Sequence, residues 1–326
     1  MNSSISNSRA LFAGFFAAAA LTFGMFVGAS EWLLRAKVAP EDTLFKHVAL
    51  FNSATAPYAA FGDSHVARGF DAAAPVFNFG YSSENIEQTA WKAERYLAQN
   101  PAPKVILLQA DPHLFSSYRT GAGLAGYPEV FSREGGAGLL TLSAQFRPQL
   151  PALWRAFFLH GGRLRSEIEF TPQGTLLSPG DLSRWSVAQV DSFIRIRARL
   201  HVPVDGFEES ADAAAYRLMV RRFLESGARL CLVAFPQAPV YRDRVIKQSP
   251  EAAAQFERAL DFYRAFAADP RVRFFDHRMM FDDPALYRDP DHLNRTGAAK
   301  YGPVLQDVCF GDIEKPAETK TIAQVR

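Results

Sequence analysis

From Ala10 to Ala29 the chain reads ALFAGFFAAAALTFGMFVGA, twenty residues without a charge. As a helix this run is long enough to cross the roughly 30 Å hydrocarbon core of a bilayer. A secretory signal peptide is the competing reading, since Val27 and Ala29 are small residues at a plausible cleavage spacing. The run exceeds the usual apolar stretch of about 7 to 15 residues in such peptides, which favours an uncleaved anchor over residues 1–38. Trp32 is expected at the interface and Pro40 at the helix end. Arg9 and the terminal amine precede the run, whereas Arg35 and Lys37 follow it, so the basic-residue rule leaves the orientation open.

The full chain of 326 residues is 48% hydrophobic, enough for residues 39–326 to bury a sizeable core and to exclude a disordered, collagen-like or coiled-coil chain. Thirty-six basic residues against 34 acidic ones leave a charge of +2 and no block of like charge, so no nucleic-acid partner is indicated. Cys231 and Cys309 form no CxxC or zinc spacing. Cys231 lies in an expected strand, where it packs as a small hydrophobe; pairing with Cys309 stays open.

Short apolar runs alternate with helical patterns, which predicts an α/β fold: a three-layer α/β/α sandwich around a five-stranded, mostly parallel sheet. The strands are expected at 58–61, 76–79, 104–110, 229–235 and 272–275. Ser82 or Ser83 is expected to cap a helix running towards Pro101, Ser210 and Ser249 to cap two more, and a last helix to start near Thr296. Residues 114–204 interrupt the pattern and read as an inserted cap, with the aromatic segment LPALWRAFFLHGGRLR forming cap core or a membrane or partner surface.

Three motifs follow expected strand ends, where open α/β sheets bind ligands. Gly62-Asp63-Ser64-His65 offers Ser64 as a nucleophile, although Gly, Asp and Ser are also ordinary turn residues. Asp289 stands three residues before His292, a spacing that lets a carboxylate hold one imidazole nitrogen while the other faces a hydroxyl. Asp291 is the rival acid, less suited to reach round the ring. The plain alternative is a surface loop whose Asn294 or Thr296 caps a helix. Asp63, His65, Asp111, His113, Asp289 and His292 can also be read as metal ligands, but no further phosphoesterase pattern accompanies them, and neither a metal nor a cofactor is expected.

The order of these motifs, with Gly80 after the second strand, resembles the SGNH/GDSL hydrolase superfamily over roughly residues 56–114 and 205–310. The resemblance implies a flavodoxin-like sheet, a catalytic triad of Ser64, His292 and Asp289, and an oxyanion held by the amides of Ser64 and Gly80. Where that family has an asparagine donor, this chain has Asp111, and an ionised aspartate cannot donate. Three substitutes are open: Asp111 is protonated, His113 or Gln109 donates instead, or Asp111 binds an acceptor hydroxyl. The anchor and the altered third motif resemble most the SGNH proteins of the alginate O-acetyltransferase type. That resemblance implies acyl transfer to an exported polysaccharide beside a membrane-bound O-acyltransferase, from a domain in the periplasm held by one inner-membrane span. An SGNH esterase and a non-catalytic glycan-binding scaffold are the alternatives.

Overall fold

A computed structural model describes residues 3–38, 42–121, 123–124, 127–131, 154–155, 158–159 and 168–311. The apolar run lies in helix α1 (Ser3–Leu33), which continues as a π-helical turn over Leu34–Val38. Its stretch Leu11–Leu33 has a mean hydropathy of 1.9, and residues 11–26 are exposed, so it is long and apolar enough to cross a membrane. Pro40 lies outside the described residues.

The chain forms two compact units, residues 1–52 with 128–166 and residues 53–127 with 167–326. The first holds α1 and α2 (Thr43–Ser53), whose Phe51 meets Phe131 of α5 (Tyr127–Phe131) edge to face at 5.5 Å. Trp154 stacks on Phe26 of α1 and donates to Ser30 Oγ at 3.2 Å. Of the aromatic segment at 150–165, only 154–155 and 158–159 are described. Of residues 114–204, expected as an inserted cap, 128–166 fall in the first unit and 114–127 and 167–204 in the second.

The second unit is built on five parallel strands: β1 (Tyr58–Phe61), β2 (Val76–Asn78), β3 (Val105–Gln109), β6 (Arg229–Ala234) and β7 (Val272–Asp276), in the order β2-β1-β3-β6-β7. Every residue of β1 and β3 is buried, as continuous apolar strands must be when helices cover both faces of a sheet. On one face Tyr58, Ala60, Leu107 and Val233 pack with Tyr301 and Leu305 of α10 (Arg295–Phe310). On the other, Phe61 packs with Phe79, with Tyr96 of α4 (Ile86–Gln99) and with Phe223 of α7 (Ala211–Glu225). Two-residue strands β4 (Glu169–Phe170) and β5 (Leu176–Leu177) form a separate ribbon, and α6 (Val187–Leu200) precedes α7. A single turn α8 (Pro239–Tyr241) and helix α9 (Pro250–Arg264) link β6 to β7.

Ser210 and Ser249 cap α7 and α9 as expected. The cap of α4 is Asn85, not Ser82 or Ser83: Asn85 Oδ1 accepts from Gln88 N–H at 2.8 Å while Gln88 Oε1 accepts from Asn85 N–H at 3.1 Å. This reciprocal box satisfies two orphan amides, more than a lone serine can. Asn294, rather than Thr296, caps α10.

Cys231 of β6 is buried in the apolar core and joined to Cys309 of α10 by a disulfide. The bridge ties the sheet to the last helix across 78 residues of sequence. Disulfides persist in oxidising compartments, so the bridge and the apolar helix together point to an exported or membrane-anchored protein. Cys309→Ala, or reduction of the wild type, should lower the stability of the sheet unit by about 2–4 kcal/mol in thermal or urea unfolding. An unchanged transition would show that the bridge does not constrain the unfolded chain.

Candidate active site

The turn after β1 requires glycine at Gly62: φ is +154°, and a Cβ there would lie 2.5 Å from Gln109 Oε1. Asp63 follows as the cap of α3 (Ser64–Gly69), its Oδ1 accepting from His65 N–H at 2.8 Å while its own N–H donates to Gln109 Oε1 at 2.6 Å. Ser64 is thereby fixed as the first residue of α3, just beyond the carboxyl edge of the sheet. Residues 287–293 form a small antiparallel hairpin of β8 (Tyr287–Asp289) and β9 (His292–Leu293), in which Asp289 and His292 are cross-strand partners.

These elements bring the three residues together. Ser64 Oγ lies 2.9 Å from His292 Nε2, and His292 Nδ1 lies 2.8 Å from Asp289 Oδ1. Asp289 Oδ1 also accepts from the backbone N–H of His292 at 3.1 Å, which fixes its rotamer. With Nδ1 donating to the carboxylate, Nε2 is left to accept the serine proton. Asp291 does reach the ring, its Oδ1 standing 3.2 Å from Nδ1, but Asp289 is closer. Burial opposes charge on His292, yet the two carboxylates outweigh it and raise its pKa above the ordinary imidazole value.

Behind the triad lies a buried row of imidazoles. The His65 ring sits 5.0 Å from His292 and 4.5 Å from His113, which in turn stacks on His201 at 5.0 Å. His65 Nδ1 lies 3.0 Å from Asp111 Oδ2; burial opposes its charge, but Asp111, Asp291 and Asp63 hold its pKa well above the usual value. Burial pushes His113 down and His201 well down, leaving both neutral. Asp63 Oδ2 accepts from His113 Nε2 at 2.9 Å and from Arg119 at 2.7 Å. Burial alone would raise the Asp63 pKa, yet Arg119 and His113 bring it well below the carboxylate range.

Of the groups expected to hold an oxyanion, Gly80 and Asp111 are engaged elsewhere. Gly80 is buried, and its N–H donates to Asn78 Oδ1 at 3.0 Å. A Cβ at Gly80 would stand 2.8 Å from the Ala67 backbone, so this glycine lets β2 approach α3. Asp111 has no exposure: Oδ2 accepts from Gln109 Nε2 at 2.8 Å and faces His65, and Oδ1 accepts from Phe235 N–H at 2.8 Å. Neither residue lines the pocket. His113 does line it, with Nε2 engaged by Asp63.

The pocket over Ser64 has a volume of about 310 Å³. Besides the triad it is lined by Arg68, Ser82, Ser83, Tyr118 and Arg119, by Phe193, Arg197 and His201 from α6 and its end, and by Arg288. Arg68 was within reach of sequence reasoning, one helical turn beyond Ser64, as was Arg288 beside Asp289. Arg119, Arg197 and His201 come from the interruption, where no periodic signal marks them.

Two groups, Asp63/His65/His113 and His65/Asp291/His292, place three ligand atoms each within 4.8 Å. Their chemistry does not suit a metal ion: Asp63 is neutralised by Arg119, His65 holds a proton between carboxylates, and Asp291 Oδ2 faces Arg197 Nε at 3.0 Å. A cation there would displace or repel three existing positive charges. Comparison of the chain with protein-family models and with curated proteins finds no match to either.

Two outcomes follow from this geometry. Because Nε2 must be free to take the Ser64 proton, modification of Ser64 should rise with pH through a limb above the ordinary imidazole value of about 6.5. Asp291→Asn, by removing one of the carboxylates that raise His292, should move that limb to lower pH; the labelling rate of a fluorophosphonate across pH reads both, and an unmoved limb would exclude Asp291 from this role. Asp111→Asn should cost about 1–3 kcal/mol in unfolding and give no gain in ester turnover, since its new amide would face the donors of Gln109 and His65 and not the pocket. A gain in turnover without loss of stability would place Asp111 in contact with substrate.

Proposed function

We propose that the protein is a serine-dependent acyltransferase of the SGNH/GDSL type, moving an acyl group, acetyl in the simplest case, onto a cell-surface or exported polysaccharide. The observation that carries this reading is the unbroken Ser64–His292–Asp289 chain, 2.9 and 2.8 Å long at its two links, opening into a polar pocket. Ser64 Oγ attacks the acyl carbon of the donor as its proton passes to His292 Nε2. The imidazolium, held between Asp289 and Asp291, returns that proton to the departing alkoxide or thiolate. A sugar hydroxyl then gives its proton to His292, attacks the acyl-serine and regenerates the free Ser64 hydroxyl. No cofactor enters either half.

Transfer rather than hydrolysis is favoured by the oxyanion side. Gly80 N–H is engaged by Asn78 and Asp111 is buried, which leaves the Ser64 amide as the remaining donor of the resemblance. Loss of one such donor typically raises the barrier by about 2.7–4 kcal/mol, a handicap against unactivated esters and a smaller one with an activated acyl donor. Phe193, Arg197 and His201 supply a wall against which an acceptor alcohol can be oriented. We place this unit on the periplasmic side of a bacterial inner membrane, tethered by α1 as a single span and acting beside a membrane-bound O-acyltransferase; the disulfide supports the oxidising side. An esterase of the same type is the second reading, favoured by the same triad, with water in place of the sugar.

A fluorophosphonate should label Ser64 of the full-length protein, and Ser64→Ala should abolish labelling while His292→Ala slows it about 10³-fold or more. With p-nitrophenyl acetate as donor, acetyl should appear on an offered oligosaccharide faster than free acetate is released. Rapid acetate release with no transfer to any glycan would establish the esterase, and undiminished labelling of Ser64→Ala would remove the serine mechanism.

A further inference from the structure

Four arginines and two aspartates line the pocket. Pairing them off leaves an excess. Arg119 is matched by the buried Asp63 at 2.7 Å, and Arg197 by Asp291 at 3.0 Å, with its guanidinium carbon 4.4 Å over the Phe193 ring. Asp289 serves His292 at 2.8 Å and reaches Arg288 Nε only at 3.8 Å. Among the described residues no carboxylate bridges Arg68, whose guanidinium instead donates to Ser178 Oγ at 2.6 Å and Ser82 Oγ at 3.0 Å.

Arg68 is therefore aimed but not neutralised. Its guanidinium is largely buried, and both that burial and the nearby charge of Arg288 weaken its hold on its proton. Two guanidinium groups near enough to repel, Arg68 held by serine hydroxyls and Arg288, among the described residues, only by Asp289 at 3.8 Å, with a pocket before them, form an unfavourable arrangement that an anion between them would relieve. Arg288 is in turn held against Gly180, where a Cβ would come within 2.9 Å of Arg288 Cγ. Gly180 has a φ of +127°, a conformation suited to glycine.

We propose that Arg68 and Arg288 form an anion-recognition site beside Ser64, and that the substrate carries a carboxylate or phosphate group close to the reacting ester or hydroxyl. Arg68 lies one helical turn from Ser64 on α3, and Arg288 is next to Asp289, so the anion sits at the same mouth as the nucleophile. A guanidinium presents a planar fork matched to either oxyanion, which gives orientation as well as attraction. For a glycan acceptor this selects acidic sugars or phosphate-bearing units over neutral chains. The part of the proposal that concerns the reacting bond rests on the acyl-serine reading; the anion site itself stands on the guanidinium geometry.

The test separates the two. Binding is measured by titration calorimetry on full-length Ser64→Ala in detergent, which needs no chemistry at the serine, with inorganic phosphate, glucuronate and glucose as probes. Phosphate or glucuronate should bind, more weakly as NaCl is raised, and glucose should not. Tighter binding of glucuronate would assign a carboxylate and tighter binding of phosphate a phosphoryl group. Adding Arg68→Gln or Arg288→Gln should weaken the anion about tenfold or more, and Arg68→Lys should recover part of that loss. Equal binding of glucose, or anion binding unchanged in both glutamine variants, would overturn the site. Failure of wild-type Ser64 to react with a fluorophosphonate would remove the acyl-serine reading while leaving the binding result to decide the anion site by itself.

Discussion

Asp63 has no contact with solvent and remains ionised, because Arg119, His113 and the amide of His65 all face its carboxylate. Breaking a buried pair by removing one partner typically costs about 3–5 kcal/mol, since the other charge is left without compensation. Asp63 is also the cap that starts α3, so the same carboxylate that anchors Arg119 sets where Ser64 stands. Around it Asp111 and Asp291 repeat the arrangement, each buried against a cation or a protonated imidazole. Behind the pocket these groups form a layer of buried pairs, Asp63 with Arg119, Asp111 with His65 and Asp291 with Arg197.

That layer has a consequence for the chemistry above it. His292 stands at its rim, between Asp289 and Asp291, and leans towards the protonated form. In the proposed reaction this would favour the imidazolium formed during attack at the expense of the free imidazole that begins it. Burial opposes charge on His65, His113 and His201 alike; at His65 the facing carboxylates outweigh it, and at His113 and His201 they do not.

The arginines at the mouth have a different status from those in the floor. Arg119 and Arg197 are matched by carboxylates and hold walls in place, whereas Arg68 is supported by serine hydroxyls that leave its charge intact. Ser82, expected to cap α4, supports Arg68 once Asn85 has taken the cap.

The sheet was legible because its strands are buried on both faces and read as continuous apolar runs, and Ser210 and Ser249 announced their helices by local hydrogen-bonding rules that need no tertiary context. Ser64, His292 and Asp289 were legible for a related reason: each stands at the end of a readable strand or at a fixed local spacing. Asp111 was readable as a position but not as an environment. Only the fold decided that Gln109, Phe235 and His65 enclose its carboxylate, and that Gly80 turns its amide to Asn78. The cysteine bridge and the matching of Arg119 with Asp63 join residues 78 and 56 positions apart, and no local pattern records such pairings. Strand, cap and triad spacing follow from the hydrogen-bonding and hydrophobic preferences of neighbouring residues, whereas charge compensation in a buried layer depends on which side chains the completed chain brings within a few ångströms.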